Sequence, residues 1–315
     1  MKIEPPFPRR FYASPIPNFE KFDPCRGIEG YCAAIRKFLM PDSTPNSFSF
    51  AGFEIVSRTY CKGSIFSRVR RLSDKKLDQL LSTPLKVDDF FPPTSNAGHV
   101  RAGRFNAEGE RKLYLADHPF VALKECGIKP GDYFLFSYFT LNKDTHFTYA
   151  ANDGSRFSQV LSSLFATQDE RFYEVIRRVY NDYCNYKAHH GIAYDSVKVQ
   201  CNQQDATWGT IDSVTNLAMT EDKFPAARLH AGWLARCDEH YRPCYEQMLL
   251  PIARKKRQLH CVPYFGNESI FLSAHQKVMK KIQQIRKKTE SLIQREDYED
   301  INTTPFKLLP QQGYI

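Results

Sequence analysis

The run Asp132-Tyr-Phe-Leu-Phe-Ser-Tyr-Phe-Thr-Leu141 constrains the fold more than any other segment of this chain. Aromatic and aliphatic residues follow one another with almost no polar alternation. As successive strand residues point to opposite faces, both faces of this strand are apolar. Such a strand is expected to be buried on both sides. The run is far too short to cross a bilayer, which takes about 18 or more apolar residues, and no other stretch approaches that length. No membrane association is expected.

Shorter elements are marked out around it. Leu113-Tyr114-Leu115 reads as a strand, with both leucines on one face and Tyr114 on the other. Asp117 is placed to cap a following helix, with Pro119 in its first turn and Gly127 at its end. Val121, Ala122 and Glu125 fall near one face of that helix. Residues 65–71 read as a strand setting Ser67, Val69 and Arg71 against Phe66, Arg68 and Arg70. Residues 30–39 and 74–81 read as helices, and 48–59 as a strand or strand pair. Residues 170–190 give the clearest helical period, with Phe172, Val175, Ile176, Val179, Tyr183 and Tyr186 as a core stripe. Gly191 then ends that helix, with His189 and His190 at its negative pole. Residues 192–199 read as a strand, and Thr215 opens another. Beyond Pro225 the chain reads as polar, helical and basic. Residues 273–297 form one long helix there, with Val278, Ile282, Ile285, Leu292 and Ile293 on one side. This suggests three segments: an N-terminal extension (1–60), a central domain (61–224) and a basic helical extension (225–315).

The net charge of +9 favours anionic partners. Much of the excess sits late, in Arg254-Lys-Lys-Arg257 and residues 277–288. It reads there as a solvated face or a docking surface for an acidic partner, and nucleic acid is not the partner expected. The nine cysteines are odd in number and scattered, which fits a reducing compartment. With no apolar signal core at the N-terminus, the expected location is the cytoplasm. Cys237, His240, Cys244, His260 and Cys261 do not have the spacing of paired zinc knuckles, so no metal is expected.

Residues 101–125 hold the chemistry. Arg104 lies beside Gly103, and glycine lets backbone approach an anion closely. A pyrophosphate needs cations with bidentate reach, which arginine supplies. Breaking an N-glycosidic bond creates a cation-like ribose centre, which a nearby carboxylate such as Glu125 can stabilise. Tyr114 can stack on a leaving base. Arg68, Arg104, Tyr114 and Glu125 are thus of the residue types needed, in an order compatible with one cleft.

The sequence Gly103-Arg104-Phe105-Asn106, then Gly109, Leu113-Tyr114-Leu115-Ala116 and Ala122-Leu123-Lys124-Glu125, resembles the RES domain, a family named for its arginine, glutamate and serine. Gly191-Ile-Ala-Tyr-Asp-Ser196 resembles the family's serine strand, and Asn216-Leu-Ala its Asn-containing strand. The likeness covers roughly residues 60–220. It implies an α+β fold similar to ADP-ribosyltransferases, with a curved mixed sheet and flanking helices. It also implies a toxin that consumes NAD by phosphorolysis or hydrolysis, with inorganic phosphate as a co-substrate in the first case, or that transfers ADP-ribose to a macromolecule. Its expected partner is an antitoxin carrying an Xre-like DNA-binding domain. A non-enzymatic basic module that binds nucleic acid is the remaining alternative.

Roles are implied residue by residue. Arg68 would hold the diphosphate or the nicotinamide ribose, with Arg70 as its rival on the same strand. Arg104 would bind phosphate. Tyr114 would stack on, or bond to, the nicotinamide end, and Glu125 would orient the ribose and stabilise the developing cation. Ser196 would bond near the nicotinamide or the phosphates. Asn106, a further candidate for substrate binding, is better placed to tie down its own turn. Some family members carry a tyrosine beside the first arginine, where this chain has Ser67 and Val69.

Overall fold

The computed structural model describes residues 16–39, 54–94, 100–150, 154–253, 255, 257–290 and 295–300. Its first half holds α1 (Gly27–Leu39), β1 (Glu54–Tyr60), β2 (Ile65–Arg71), α2 (Asp74–Ser82), β3 (Lys112–Ala116), α3 (Pro119–Glu125), β4 (Tyr133–Leu141) and β5 (Thr145–Tyr149). There follow α4 (Arg156–Phe165), α5 (Tyr173–Val179), β6 (Gly191–Asp195), the small hairpin β7 (Gln203–Asp205) and β8 (Gly209–Ile211), and β9 (Thr215–Thr220). The last part holds β10 (Ala227–Cys237), β11 (Pro243–Pro251), β12 (Leu259–Pro263), α6 (Glu268–Glu290) and β13 (Arg295–Asp300).

Eleven strands make one sheet, in the order β12-β11-β10-β4-β2-β3-β9-β6-β5-β1-β13. Its registered pairs are antiparallel except β5 with β6. The architecture is α+β, with a large, mostly antiparallel sheet. As expected, β4 is buried along nearly its whole length. On one of its faces Phe136, with Trp233 of the neighbouring β10, meets Val121 of α3 and Phe271 and Ile282 of α6. On the other, Leu135 and Phe139 meet Leu80 of α2 and Phe90. A third cluster packs α1, α4 and α5 through Ile35, Leu161, Val175 and Ile176 against Ile192 and Ala218.

The structure corrects several expectations. The segment after Pro225 is not chiefly helical: β10, β11 and β12 extend the sheet, and β10 pairs along β4. Arg228, His230 and Arg236 give β10 a basic look, but Ala231 to Ala235 are buried without a break, with Trp233 on one face of the sheet and Leu234 on the other. The expected boundaries at 60/61 and 224/225 do not separate sheets, since β1 and β10 to β12 join the same one as β3. The late helix runs over Glu268–Glu290, with Ile282 buried and Val278 and Ile285 against the core; Leu292 and Ile293 lie outside the described residues.

The helix expected over 170–190 is shorter. It opens with a 3-10 turn, is regular over Tyr173–Val179, and loosens into a wider turn over Tyr180–Cys184. There the Asn185 N–H donates to the Tyr180 carbonyl, five residues back. Of its core stripe, all but Tyr186 are fully buried. His189 and His190 therefore lie beyond any helix end. His189 bonds Thr148, and His190 Nδ1 accepts from the His146 N–H. Gly191 opens β6 rather than closing a helix. A Cβ there would sit 2.0 Å from the Ala218 carbonyl oxygen, so only glycine allows β6 this close to β9.

Candidate functional site

The site forms at a weak seam. β2 pairs along its whole length with β4, and β3 along its whole length with β9, but β2 and β3 register only at Ser67 with Ala116. The Ser67 hydroxyl donates to the Ala116 carbonyl at 2.8 Å and pins that single crossing. A cavity of about 220 Å³ opens beside it, with Arg68 and Val69 from β2 on one side and Tyr114 and Leu115 from β3 on the other. The rung Ser67–Ala116–Asn216–Tyr194, running across β2, β3, β9 and β6, lines it too.

The turn before β3 is built by its own residues. A Cβ on Gly103 would lie 2.5 Å from Asn106 Oδ1 and 3.2 Å from the Tyr114 hydroxyl, so the position takes only glycine. Phe105 is fully buried against Phe165 and Tyr194. The Asn106 amide donates to the carbonyls of Arg101 and Ala107, both at 2.9 Å, and to that of Glu110 at 3.2 Å. Asn106 therefore ties the turn together and is not among the cavity's lining residues. The Tyr114 hydroxyl donates to Asn106 Oδ1 at 2.9 Å and accepts from the Phe105 N–H at 3.0 Å. Burial pushes its pKa well up, so it is a neutral phenol. With the hydroxyl so engaged, it is the ring that Tyr114 presents to the cavity.

Arg104 is buried and enters the cavity, where it donates to the Phe165 carbonyl and lies over the Tyr173 ring at 5.6 Å. Arg68 and Arg70 separate. Arg70 donates to the Asp89 carbonyl at 2.9 Å and lines a different cavity. Arg68 lines this one; its Nε is buried without a hydrogen-bond partner. Burial, and secondarily the charge of Arg70, lower its guanidinium pKa to about 10. It stays charged at neutral pH, with no carboxylate in contact among the described residues.

Glu125 arrives on the last turn of α3. The N-cap of that helix is His118 rather than Asp117: its backbone is extended and its Nδ1 accepts from the Phe120 N–H at 3.1 Å. The Asp117 N–H instead continues the β3–β9 ladder to Thr215. Pro119 and Gly127 take their expected places, Gly127 at φ 61°. Glu125 Oε1 accepts from the Ser196 hydroxyl at 2.6 Å and from the Asn216 amide at 3.5 Å. Ser196 does not itself line the cavity; it stands just past the end of β6, its N–H bonded to Val214 and its Oγ accepting from the Lys198 N–H. This local turn ends the strand expected over 192–199.

The arrangement thus joins Arg68, Arg104, Tyr114 and Glu125 in one cavity, with Ser196 behind Glu125. Sequence reasoning missed Glu170, Tyr173 and Lys198, which also line it, and gave Asn216 no role. Lys198 Nζ donates to the Glu125 carbonyl, complementing the end of α3. Tyr173 lies one position off the core stripe of α5, and that offset was the available signal.

An α+β protein with a half-buried, cation-rich and carboxylate-bearing cavity is what fold and site define. The chain matches no protein-family model, no curated protein and no solved structure. Among the described residues, no helix is long and apolar enough to cross a membrane.

Proposed function

We propose that this chain degrades NAD in the manner of a RES toxin, as a phosphorylase or glycohydrolase, on a sheet similar to that of the ADP-ribosyltransferases. One observation carries the reading. Among the described residues, the same cavity holds a charged guanidinium without an acidic partner, Arg68, and a carboxylate held through one oxygen, Glu125. A buried, unpaired cation calls for an anion. The Oε2 of Glu125 has no hydrogen-bond partner among the described residues and is free to meet a ribose.

In this reading Arg68 and Arg104 hold the diphosphate, and the Tyr114 ring backs the nicotinamide. The cavity is smaller than the roughly 300–1,000 Å³ of whole-ligand sites, so it takes the nicotinamide end and leaves the adenosine outside. The bond from the ribose C1 to nicotinamide breaks, and its electron pair leaves with neutral nicotinamide. Positive charge passes to the ribose, where Glu125 stabilises it. Water then adds with loss of a proton to give ADP-ribose, or phosphate adds to give its 1-phosphate. Most of the acceleration comes from orientation and fixed charge. The same likeness proposes a cytoplasmic toxin with an Xre-like antitoxin as partner.

The test is incubation of purified protein with NAD labelled in its ADP-ribose part, with and without inorganic phosphate. Nicotinamide release with free ADP-ribose or its phosphate is expected. Label on a macromolecule would replace breakdown with transfer, and absence of nicotinamide release would overturn the reading.

A further inference from the structure

A second cavity, of about 550 Å³, lies between α2, the 3-10 turn Val87–Phe90, the chain just before β3 and the loop before β12. Its volume falls within the roughly 300–1,000 Å³ of sites that take a whole small ligand. Four cations reach it from four segments: Arg70 from β2, Lys76 from α2, Arg111, and Arg257. They face two carboxylates, Asp88 and Asp89.

The partners of these cations differ in kind. Arg111 is pinned: its Nε and Nη2 donate to the Pro92 carbonyl and its Nη1 pairs with Glu221. Arg257 meets Asp88 at 3.6 Å, with both side chains largely exposed, a pair that costs little to open. Arg70 is half-buried; among the described residues it hydrogen-bonds the Asp89 carbonyl, and the Asp89 carboxylate charge acts on it without a direct bond. Among the described residues, Lys76 Nζ bonds the side-chain oxygen of Gln79, at 3.1 Å. Two of the four thus rest on neutral groups. The Asp89 carboxylate is itself engaged by the Lys86 N–H at 2.9 Å. Phe91 and Phe224, ring centroids 6.0 Å apart, and the prolines beside them supply an apolar wall.

We infer that this cavity binds a small nucleoside phosphate, separately from the site at Glu125. The phosphate would give Arg70 and Lys76 a directly bonded, charge-assisted partner, which neither has among the described residues, with Arg257 able to swing from Asp88 onto it. A bare phosphate would leave most of the space empty; a nucleoside against Phe91 and Pro92 fills it. This goes beyond the NAD reading and does not depend on it.

The experiment is calorimetric titration of ADP into the full chain carrying Arg68→Ala, which removes the unpaired cation of the central cavity. One ADP per chain is expected. Adding Lys76→Ala and Arg257→Ala, both at the solvent side of the cavity, should weaken binding about tenfold or more. Absence of binding at millimolar ADP, or an affinity unchanged by the two added substitutions, overturns the assignment. Nicotinamide release is not read in this experiment, so failure of the NAD reading would leave its outcome distinct.

Discussion

Replacing Arg68 by methionine should make the protein more stable and at the same time weaken NAD binding in the central cavity. The guanidinium is held charged in a half-buried place with an unsatisfied Nε, and burial draws its pKa down to about 10. A drop of that size corresponds to about 3 kcal/mol of penalty on the charged form. Because the folded value is the lower one, the penalty is fully present at neutral pH and is relieved only as pH climbs past about 10. Methionine keeps the stem of the side chain but not its planar head, and lost packing takes back about 1 kcal/mol. The net expectation is a gain of about 1–2 kcal/mol, a rise in Tm of about 2–4 °C. Denaturant unfolding of both proteins at pH 7 measures the first quantity. Thermal shift with NAD measures the second, with wild type stabilised more than the variant. A variant less stable than wild type by 1 kcal/mol or more would mean that the protein already satisfies this cation, and the argument for a missing anion would fall.

Other expectations follow from the same geometry. Ser196→Ala removes a 2.6 Å charge-assisted bond to Glu125 and should lower kcat for NAD loss about ten- to a hundredfold, while Asn216→Ala, losing a 3.5 Å bond, should cost fivefold or less; the reverse ranking would refute the holding role. Tyr114→Phe orphans the Phe105 N–H and should cost about 1–3 kcal/mol in unfolding experiments, a loss that a ring used only for stacking would not show. Burial, aided by Lys143, lowers the His190 pKa to about 4. The unfolded chain therefore takes up that proton first as acid is added. The contribution is intact above about pH 6.5 and is lost as pH falls towards 4. Stability curves of wild type and His190→Gln between pH 7 and 4 should diverge in slope; parallel curves would contradict this.

What was legible in the sequence was legible for physical reasons. β4 announces itself because burial on both faces leaves no polar residue in Phe134–Leu135–Phe136, and β3 with α3 because proline and glycine punctuate them. The turn at Gly103 could be read because its residues satisfy one another locally, within a dozen positions. Long-range pairing was not legible. Nothing local says that β10 lies beside β4, and its arginines, near the two ends, frame a strand whose middle is buried on both faces. Nor does the alternation of β2 tell Arg68 from Arg70: the two share a strand face, and the single crossing at Ser67 decides which enters the central cavity. The break in the helix after Val179 escaped notice because Tyr180, Tyr183 and Cys184 are as apolar and as buried as a continuing helix would need. Asn216 was visible as part of a motif, but its hold on Glu125 joins residues 91 positions apart.

The central claim is that Glu125, with one oxygen held and the other free, drives loss of nicotinamide from NAD. Its most direct test is nicotinamide release by the purified wild-type chain beside Glu125→Ala, with unfolding curves to show that both are folded. Release by the wild type and a loss of about a thousandfold or more in the variant are predicted. Equal release by both, from two equally folded proteins, would contradict the account.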